Sequence, residues 1–401
     1  MKKIWMKALI LFLSVCVSLF LMPLTLFAES AEKNNEIAQI NEADPVPNGA
    51  PLLSCESAIL MEASTGAVLY SKNAHEALPP ASVTKIMTLL LIMEAVDNGI
   101  LKPDDVVTAS ANAASMGGSQ VYLKEGEQMR LEDMLKCVII ASANDAAVAL
   151  AEHCCGSVSS FVEKMNQRAQ LLGMKDTHFE NVTGLDDTAQ NHLTSAHDIA
   201  LMSQALIQHK TILKYSSIWM DTIRDGSFGL TNTNRLVRYY KGCTGLKTGS
   251  TDKAGFCVSV TAEREGLSLI AVIMGAESRD ARNAEAASLL DWGFASYALF
   301  SVPVTEMNEV YVLGGVKPFC KTIATEFVCV LPKSELSRVE KRVLMPEQCN
   351  APIKVGDELG TVTYFIGDRE LGASKITALE DVDRMNFFDI LARLAASMLL
   401  I

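Results

Sequence analysis

Gly255-Phe-Cys-Val-Ser-Val-Thr-Ala262, Glu263-Arg-Glu-Gly266 and Leu267-Ser-Leu-Ile-Ala-Val-Ile-Met-Gly275 form the stretch on which the fold turns. Two apolar, β-branched runs enclosing a polar turn read as a hairpin of buried strands. Ala284 to Leu299 follows as one long helix pattern. Near the other end, Ser57-Ala-Ile-Leu-Met-Glu62 and Ala67-Val-Leu-Tyr70 flank Ser64-Thr65-Gly66, a second hairpin. Between the two, helical periodicity covers Ile86 to Val96, Leu131 to Ala141, Asp145 to Cys155, Ser159 to Leu172 and Thr194 to Gln208. A hairpin from the beginning thus shares a sheet with one from the end, and the middle supplies helices. That order predicts an α/β sandwich with an antiparallel sheet and a helical insertion, spanning 53–300.

Outside this unit the composition changes. Residues 301–382 are short Val/Ile/Thr/Phe-rich runs with Gly and Pro punctuation, such as Glu309 to Leu313, Phe327 to Leu331 and Gly360 to Ile366. They predict a small β domain. Residues 383–401 place Asn386, Asp389, Arg393 and Ser397 three and four apart among apolar neighbours, an amphipathic helix. Such a helix lies in a membrane interface or packs on its own domain. Residues 29–52, rich in Glu, Asn, Ala and Pro, read as a tether. Residues 1–28 carry Lys2, Lys3 and Lys7, no acid, and an uncharged run ending in Leu26-Phe27-Ala28, the pattern of a secretory signal peptide. An uncleaved anchor is the alternative, because 21 uncharged residues can span a bilayer.

The formal charge is −12, with 35 basic and 47 acidic residues, and no basic run interleaves with aromatics. Nucleic acid is therefore not expected as a partner. Without residues 1–28 nine cysteines remain, an odd number with no Cys-x-x-Cys, so they read as core thiols rather than a disulfide framework. The six histidines form no His-Glu-x-x-His and no zinc spacing, so no metal or cofactor is expected. Gly-x-Ser-x-Gly is absent too, which points away from a histidine-activated serine of the α/β-hydrolase kind.

Ser-x-x-Lys is another way to activate a serine, since a helix sets the two side chains one turn apart on one face. It occurs at Ser30/Lys33, Ser82/Lys85 and Ser250/Lys253. Ser30 lies in the tether and Ser250 is expected just after a strand. Only Ser82 stands at the mouth of an apolar helix, where the helix dipole favours a developing negative charge. Burial beside Ile86 and Leu89 would lower the pKa of Lys85 and supply a neutral amine. Ser142-Ala143-Asn144 falls between two helices, where a hydroxyl and an amide can reach a nucleophile. Lys247-Thr248-Gly249 occurs once, against roughly a tenth of an occurrence expected by chance. On a strand edge Thr248 can bond a substrate carboxylate, Lys247 can supply the counter-charge, and Gly249 can let a substrate backbone approach. Taken singly, these residues read as a helix cap, a loop hydroxyl and a surface charge.

The ordered set resembles the low-molecular-mass penicillin-binding proteins of the D-alanyl-D-alanine carboxypeptidase family. The resemblance also rests on Pro80-Ala-Ser-Val-Thr-Lys-Ile-Met-Thr88, Ser142-Ala-Asn-Asp-Ala-Ala147, Leu172-Gly-Met-Lys-Asp-Thr-His-Phe179, Thr183-Gly-Leu-Asp-Asp187 and Gly245-Leu-Lys-Thr-Gly-Ser-Thr-Asp-Lys-Ala-Gly255. It implies a penicillin-recognising serine transferase fold, a C-terminal β domain and a membrane-associated tail on the outer face of the cytoplasmic membrane. It implies peptidoglycan stem peptides as substrate and β-lactam antibiotics as covalent inhibitors. By the same resemblance Ser82 would be the nucleophile, Lys85 its base and Ser142 a proton relay. Asn144, Lys247, Thr248 and Gly249 would bind substrate, and the backbone N–H groups of Ser82 and Ser250 would form the oxyanion hole. Ser250 departs from the His or Tyr of many relatives. A β-lactamase would need a deacylating Glu, for which Glu163-Lys-Met-Asn166 has the wrong spacing, and a non-catalytic wall-binding protein would have lost one of these residues.

Overall fold

The computed structural model describes residues 47–186 and 189–398, so the expected leader and most of the expected tether lie outside the described residues. The central sheet has five antiparallel strands: β1 (Ser57–Glu62), β2 (Val68–Lys72), β3 (Cys243–Thr251), β4 (Gly255–Arg264) and β5 (Leu267–Ala276). Their spatial order is β2-β1-β5-β4-β3, which joins the first hairpin to the last through β1 and β5. Leu60 faces Ala271 across that seam, and Lys247 faces Ser259 between β3 and β4.

Both faces of the sheet are covered, which is why these strands read as continuous apolar runs. Ile270, Val272 and Met274 point into the helical layer and share one core with α1 (Lys85–Asp97), α2 (Leu131–Ile139), α3 (Asn144–Cys155), α4 (Val158–Leu171) and α5 (Ala196–Gln208), of which α5 packs directly on β5. Leu269, Ala271 and Ile273 point the other way, onto Ala286, Leu289, Leu290 and Phe294 of α6 (Arg279–Ser296). The alternation along one strand thus builds two cores.

Two expectations shift here. The polar turn of the last hairpin shrinks to Glu265-Gly266, both left-handed (φ 52° and 79°), while Glu263 and Arg264 complete the last rungs of β4. Two-residue loops of this hand match the twist of the strands, and polar side chains are tolerated where the ladder ends in water. The long helix starts at Arg279, because the Ser278 hydroxyl caps it by accepting from the Ala281 N–H at 3.1 Å. It stops at Ser296, and Tyr297–Val302 becomes a strand paired with Phe327–Pro332. That pairing gives the apolar run Tyr297-Ala-Leu-Phe300 cross-strand partners that a continued helix would lack.

Beyond it lies a six-stranded sheet ordered Glu340–Leu344, Glu358–Ile366, Arg369–Ala378, Phe319–Ala324, Thr305–Leu313 and Gln348–Asn350. Its core includes Phe327 stacked on Tyr364, ring centres 4.2 Å apart. The final helix, α7 (Phe387–Met398), opens on Asn386, whose side-chain oxygen accepts from the Phe388 and Asp389 N–H groups. None of its residues is buried, and Phe387 and Phe388 are 72 % and 77 % exposed, so its apolar side does not pack on the β domain. No helix among the described residues is long and apolar enough to cross a membrane. The nine described cysteines are all free thiols.

Candidate active site

Pro79-Pro80 ends an extended segment, and Ala81 takes a left-handed φ of 48°. The chain then makes one 3-10 turn, Ala81–Thr84, before Lys85 opens α1. Ser82 therefore sits one tight turn ahead of the α-helix rather than on it, which still stacks Lys85 over the hydroxyl. Lys85 Nζ lies 2.8 Å from Ser82 Oγ and 3.0 Å from the Thr183 carbonyl oxygen. The lysine is fully buried, and no carboxylate pairs with it among the described residues. Burial holds its pKa well below the ordinary lysine value, the Lys247 charge pushes it further, and Asp145 opposes them. An amine in that setting gives up its proton readily and takes one from a hydroxyl beside it.

α2 and α3 are joined by a connection in which Ser142 has φ 63°, an uncommon conformation for a residue with a side chain. Thr233 N–H donates to the Ile140 carbonyl at 3.0 Å and ties this connection to the chain leading into β3. Lys247 Nζ reaches Ser142 Oγ at 2.9 Å and the Thr248 carbonyl at 2.8 Å. Lys247 is 1 % exposed, so the surface-charge reading fails. Burial first, then the Arg282 guanidinium, brings its pKa down to about 7. Asn144 is the first residue of α3, one position earlier than the helix expected from Asp145. Its Nδ2 donates to the Gly117 carbonyl at 2.7 Å, while its Oδ1 is buried without a partner, an acceptor ready for a donor brought in by substrate.

Lys247, Thr248, Gly249 and Ser250 all lie on β3, an edge of the sheet, so one row of its backbone groups is free to pair with an incoming peptide. Ser250 belongs to the strand rather than following it. The reason for Gly249 also changes: a Cβ there would stand 2.8 Å from Pro80 O and Ser82 N and 2.9 Å from Val83 N. The missing side chain makes room for the backbone of the Ser82 turn, not for a substrate backbone. Thr248 Oγ1 is 2.8 Å from Thr233 Oγ1.

Several residues around this site were not singled out by spacing. Asn181 Oδ1 accepts from the Thr183 and Gly184 N–H groups and shapes the turn that offers the Thr183 carbonyl to Lys85. Gly184, at φ 81°, lies so near that a Cβ would sit 1.8 Å from Ala81 O. Buried His192 accepts at Nδ1 from the Glu180 N–H, so its Nε2–H donates to Thr84 Oγ1 at 2.8 Å, inside the Ser-x-x-Lys turn. The string Thr183-Gly-Leu was part of the resemblance and pointed to this turn, whereas nothing near His192 signalled its partner. Glu163 is exposed on α4 and takes no part.

A serine beside a buried, charge-poor lysine, a second Ser–Lys pair and a free strand edge make the arrangement expected of an acyl-transferring serine hydrolase. The family model for D-alanyl-D-alanine carboxypeptidase matches residues 45–278, and that for the penicillin-binding protein 5 C-terminal domain matches 305–384. D-alanyl-D-alanine carboxypeptidase DacF of Bacillus subtilis is 42% identical over 347 residues, covering 84% of this chain and 88% of the relative. The crystal structure of penicillin binding protein 5 from Haemophilus influenzae superposes with a TM-score of 0.74 at 31% identity, covering 83% of this chain and 99% of that one. Penicillin-binding protein D2 from Listeria monocytogenes, in its ampicillin-bound form, gives a TM-score of 0.56 at 33% identity over 60% of this chain and 98% of its own. The chain belongs to the D-alanyl-D-alanine carboxypeptidase family. It is a serine-type D-Ala-D-Ala carboxypeptidase of peptidoglycan, built on the fold of the low-molecular-mass penicillin-binding proteins.

Proposed function

We propose that the reaction runs through an acyl-enzyme on Ser82, with the stem pentapeptide losing its terminal D-alanine. The observation that carries this is the 2.8 Å pair of Ser82 Oγ and Lys85 Nζ, with the amine buried and driven toward its neutral form. Ser82 Oγ attacks the penultimate D-alanine carbonyl while its proton passes to Lys85. The backbone N–H groups of Ser82 and Ser250 hold the oxyanion. The C–N bond then breaks, and the leaving amine takes a proton delivered along Lys85, Ser142 and Lys247. Water, deprotonated by Lys85, attacks the ester and returns Ser82. Thr248 and the partly protonated Lys247 meet the terminal carboxylate, Asn144 meets the substrate amide, and Gly249 keeps the Ser82 turn against β3.

A β-lactam follows the same first step, but its leaving nitrogen stays tethered and blocks the water. Glu163 stands exposed on a helix, so it is not placed to hasten release. The complete set of side chains also speaks against a decayed, wall-binding site.

The leader pattern and the uncovered apolar side of α7 support an exported enzyme lying on the outer face of the cytoplasmic membrane. Removing residues 386–401 should abolish flotation with liposomes while leaving penicillin acylation intact; flotation by the truncated protein would reject the anchor.

The site itself is tested with a labelled penicillin and, separately, a diacetyl-Lys-D-Ala-D-Ala peptide. Label on Ser82 with D-alanine release, both lost in Ser82→Ala, is the expected result. Label without release would mean a penicillin-binding protein that does not hydrolyse, and neither signal would reject the reading.

A further inference from the structure

A second concavity, of about 600 Å³, is lined by Tyr122, Lys124, Glu125, Glu127, Arg224 and Phe228. That volume is in the range of small-ligand clefts, roughly 300–1,000 Å³. Tyr122 is 70 % exposed and has a left-handed φ of 57°, a costly conformation for an aromatic residue. It is held there: Arg224 Nη1 donates to the Val121 carbonyl at 2.9 Å, and Arg224 Nε bonds Glu127 at 2.7 Å. The Tyr122 ring stands edge-on to Phe228, and the Arg224 guanidinium lies over the Phe228 ring at 5.1 Å. The Arg224–Glu127 pair neutralises its own charge, so the cleft presents aromatic walls with Lys124 and Glu125 at the rim.

The loop carrying Tyr122 is also the loop that holds Asn144. Asn144 N–H donates to the Ser119 carbonyl at 2.7 Å, Asn144 Nδ2 to Gly117, and the Asp145 carboxylate accepts from the Val121 and Leu123 N–H groups. Tyr122 follows Ser119 by three positions, at most about 11 Å of chain. The four stem residues on the acyl side of the scissile bond, extended from the nucleophile, span roughly 14 Å. The far end of a stem peptide that passes Asn144 therefore comes within reach of the cleft. At that end peptidoglycan carries N-acetylated sugars, whose C–H faces and acetamido groups suit an exposed aromatic with polar groups beside it.

Resting on the carboxypeptidase reading above, we propose that the Tyr122–Phe228 cleft is a subsite for the sugar of the glycan strand, distinct from the peptide-binding edge of β3. It would let the enzyme prefer wall-attached stems to free peptide.

The test compares kcat/KM for a disaccharide-pentapeptide and for the same pentapeptide without sugar, using the full-length enzyme, Tyr122→Asn and Phe228→Ala. Asn keeps the left-handed backbone and removes the ring. The wild type should favour the glycopeptide by roughly tenfold, the worth of a good aromatic contact. Each variant should bring the two substrates to parity while acylation by penicillin and turnover of the free peptide stay as before. A sugar-only oligosaccharide should inhibit turnover of the glycopeptide by the wild type but not by the variants. Free-peptide turnover with no preference for the glycopeptide in the wild type would overturn the subsite and leave the carboxypeptidase reading standing. Equal losses on both substrates would assign the cleft to peptide and overturn it too. Turnover of neither substrate would reject both.

Discussion

Lys247 pairs with no carboxylate among the described residues, yet it is buried, and in the free enzyme that makes it a measurable cost to the fold. Its pKa falls from 10.5 to about 7. The unfolded chain therefore holds more protons than the folded one between pH 7 and 10.5, and stability rises with pH across that window. At 1.36 kcal/mol per unit the cost is about 5 kcal/mol below pH 6, about 4 at pH 7 and about 1 at pH 10. Lys247→Met removes it, and also removes the bonds to Ser142 Oγ and the Thr248 carbonyl, a loss of about 1–3 kcal/mol that does not depend on pH. The variant should therefore be more stable than wild type at pH 6 by about 2–4 kcal/mol, and less stable by up to about 2 at pH 10. Urea unfolding of both proteins at pH 6, 8 and 10 measures this, and the titrations of cysteines and tyrosines cancel in the difference. Penicillin acylation by the variant should fall at least about a hundredfold. A stability difference that stays constant with pH would refute the reasoning, because it would mean that Lys247 is not desolvated.

Lys85→Arg keeps a positive charge but cannot take a proton at neutral pH, so the acylation rate constant should drop by about 10³ or more; near-normal labelling would remove Lys85 as base. In the wild type that rate should climb with pH as the Lys85 amine loses its proton and fall again as Lys247 loses its own near 7, and a rate that begins to climb only toward the ordinary lysine value of 10.5 would contradict the depressed Lys85 pKa. Gly249→Ala drives a methyl into the backbone of the Ser82 turn, so about 1–3 kcal/mol of stability and most of the acylation should be lost together, read by thermal unfolding and gel labelling. Burial holds His192 at about 4, below its ordinary 6.5. The unfolded chain takes up that proton first as pH falls, so stability is full above 6.5 and is lost down to about 4. His192→Gln should flatten that part of the unfolding profile, and an unchanged profile would place the acid sensitivity elsewhere.

The legible parts of this molecule were those where a short stretch carries its own physical signal. Gly255 to Gly275 announced a buried hairpin because both strand faces meet apolar layers, and Ser82 to Lys85 announced a serine–lysine pair because one turn sets the spacing. Less legible were the ends of elements and the supports of the site. The end of α6 at Ser296 depends on Phe327–Pro332, which lies about thirty residues on and offers Tyr297–Val302 a partner. The Thr183 carbonyl on Lys85 and the His192 bond to Thr84 join residues about a hundred apart, and backbone carbonyls leave no trace in residue type.

The sequence by itself determined which chemistry was available: a serine with a lysine one turn away, a second hydroxyl with an amide, and Lys-Thr-Gly on a strand. Spacing along one element is a local property, so those assignments needed no partner. Only the tertiary structure decided how the three groups work on each other. Folding removes Lys85 and Lys247 from water and puts Lys85 in the field of Lys247 and Lys247 in that of Arg282, so both amines are displaced from the values they hold in an unfolded chain. Gly249 shows the same division: its identity is written in the chain, but the reason for it is the backbone of Ser82, which arrives against β3 only when the first and last hairpins close into one sheet.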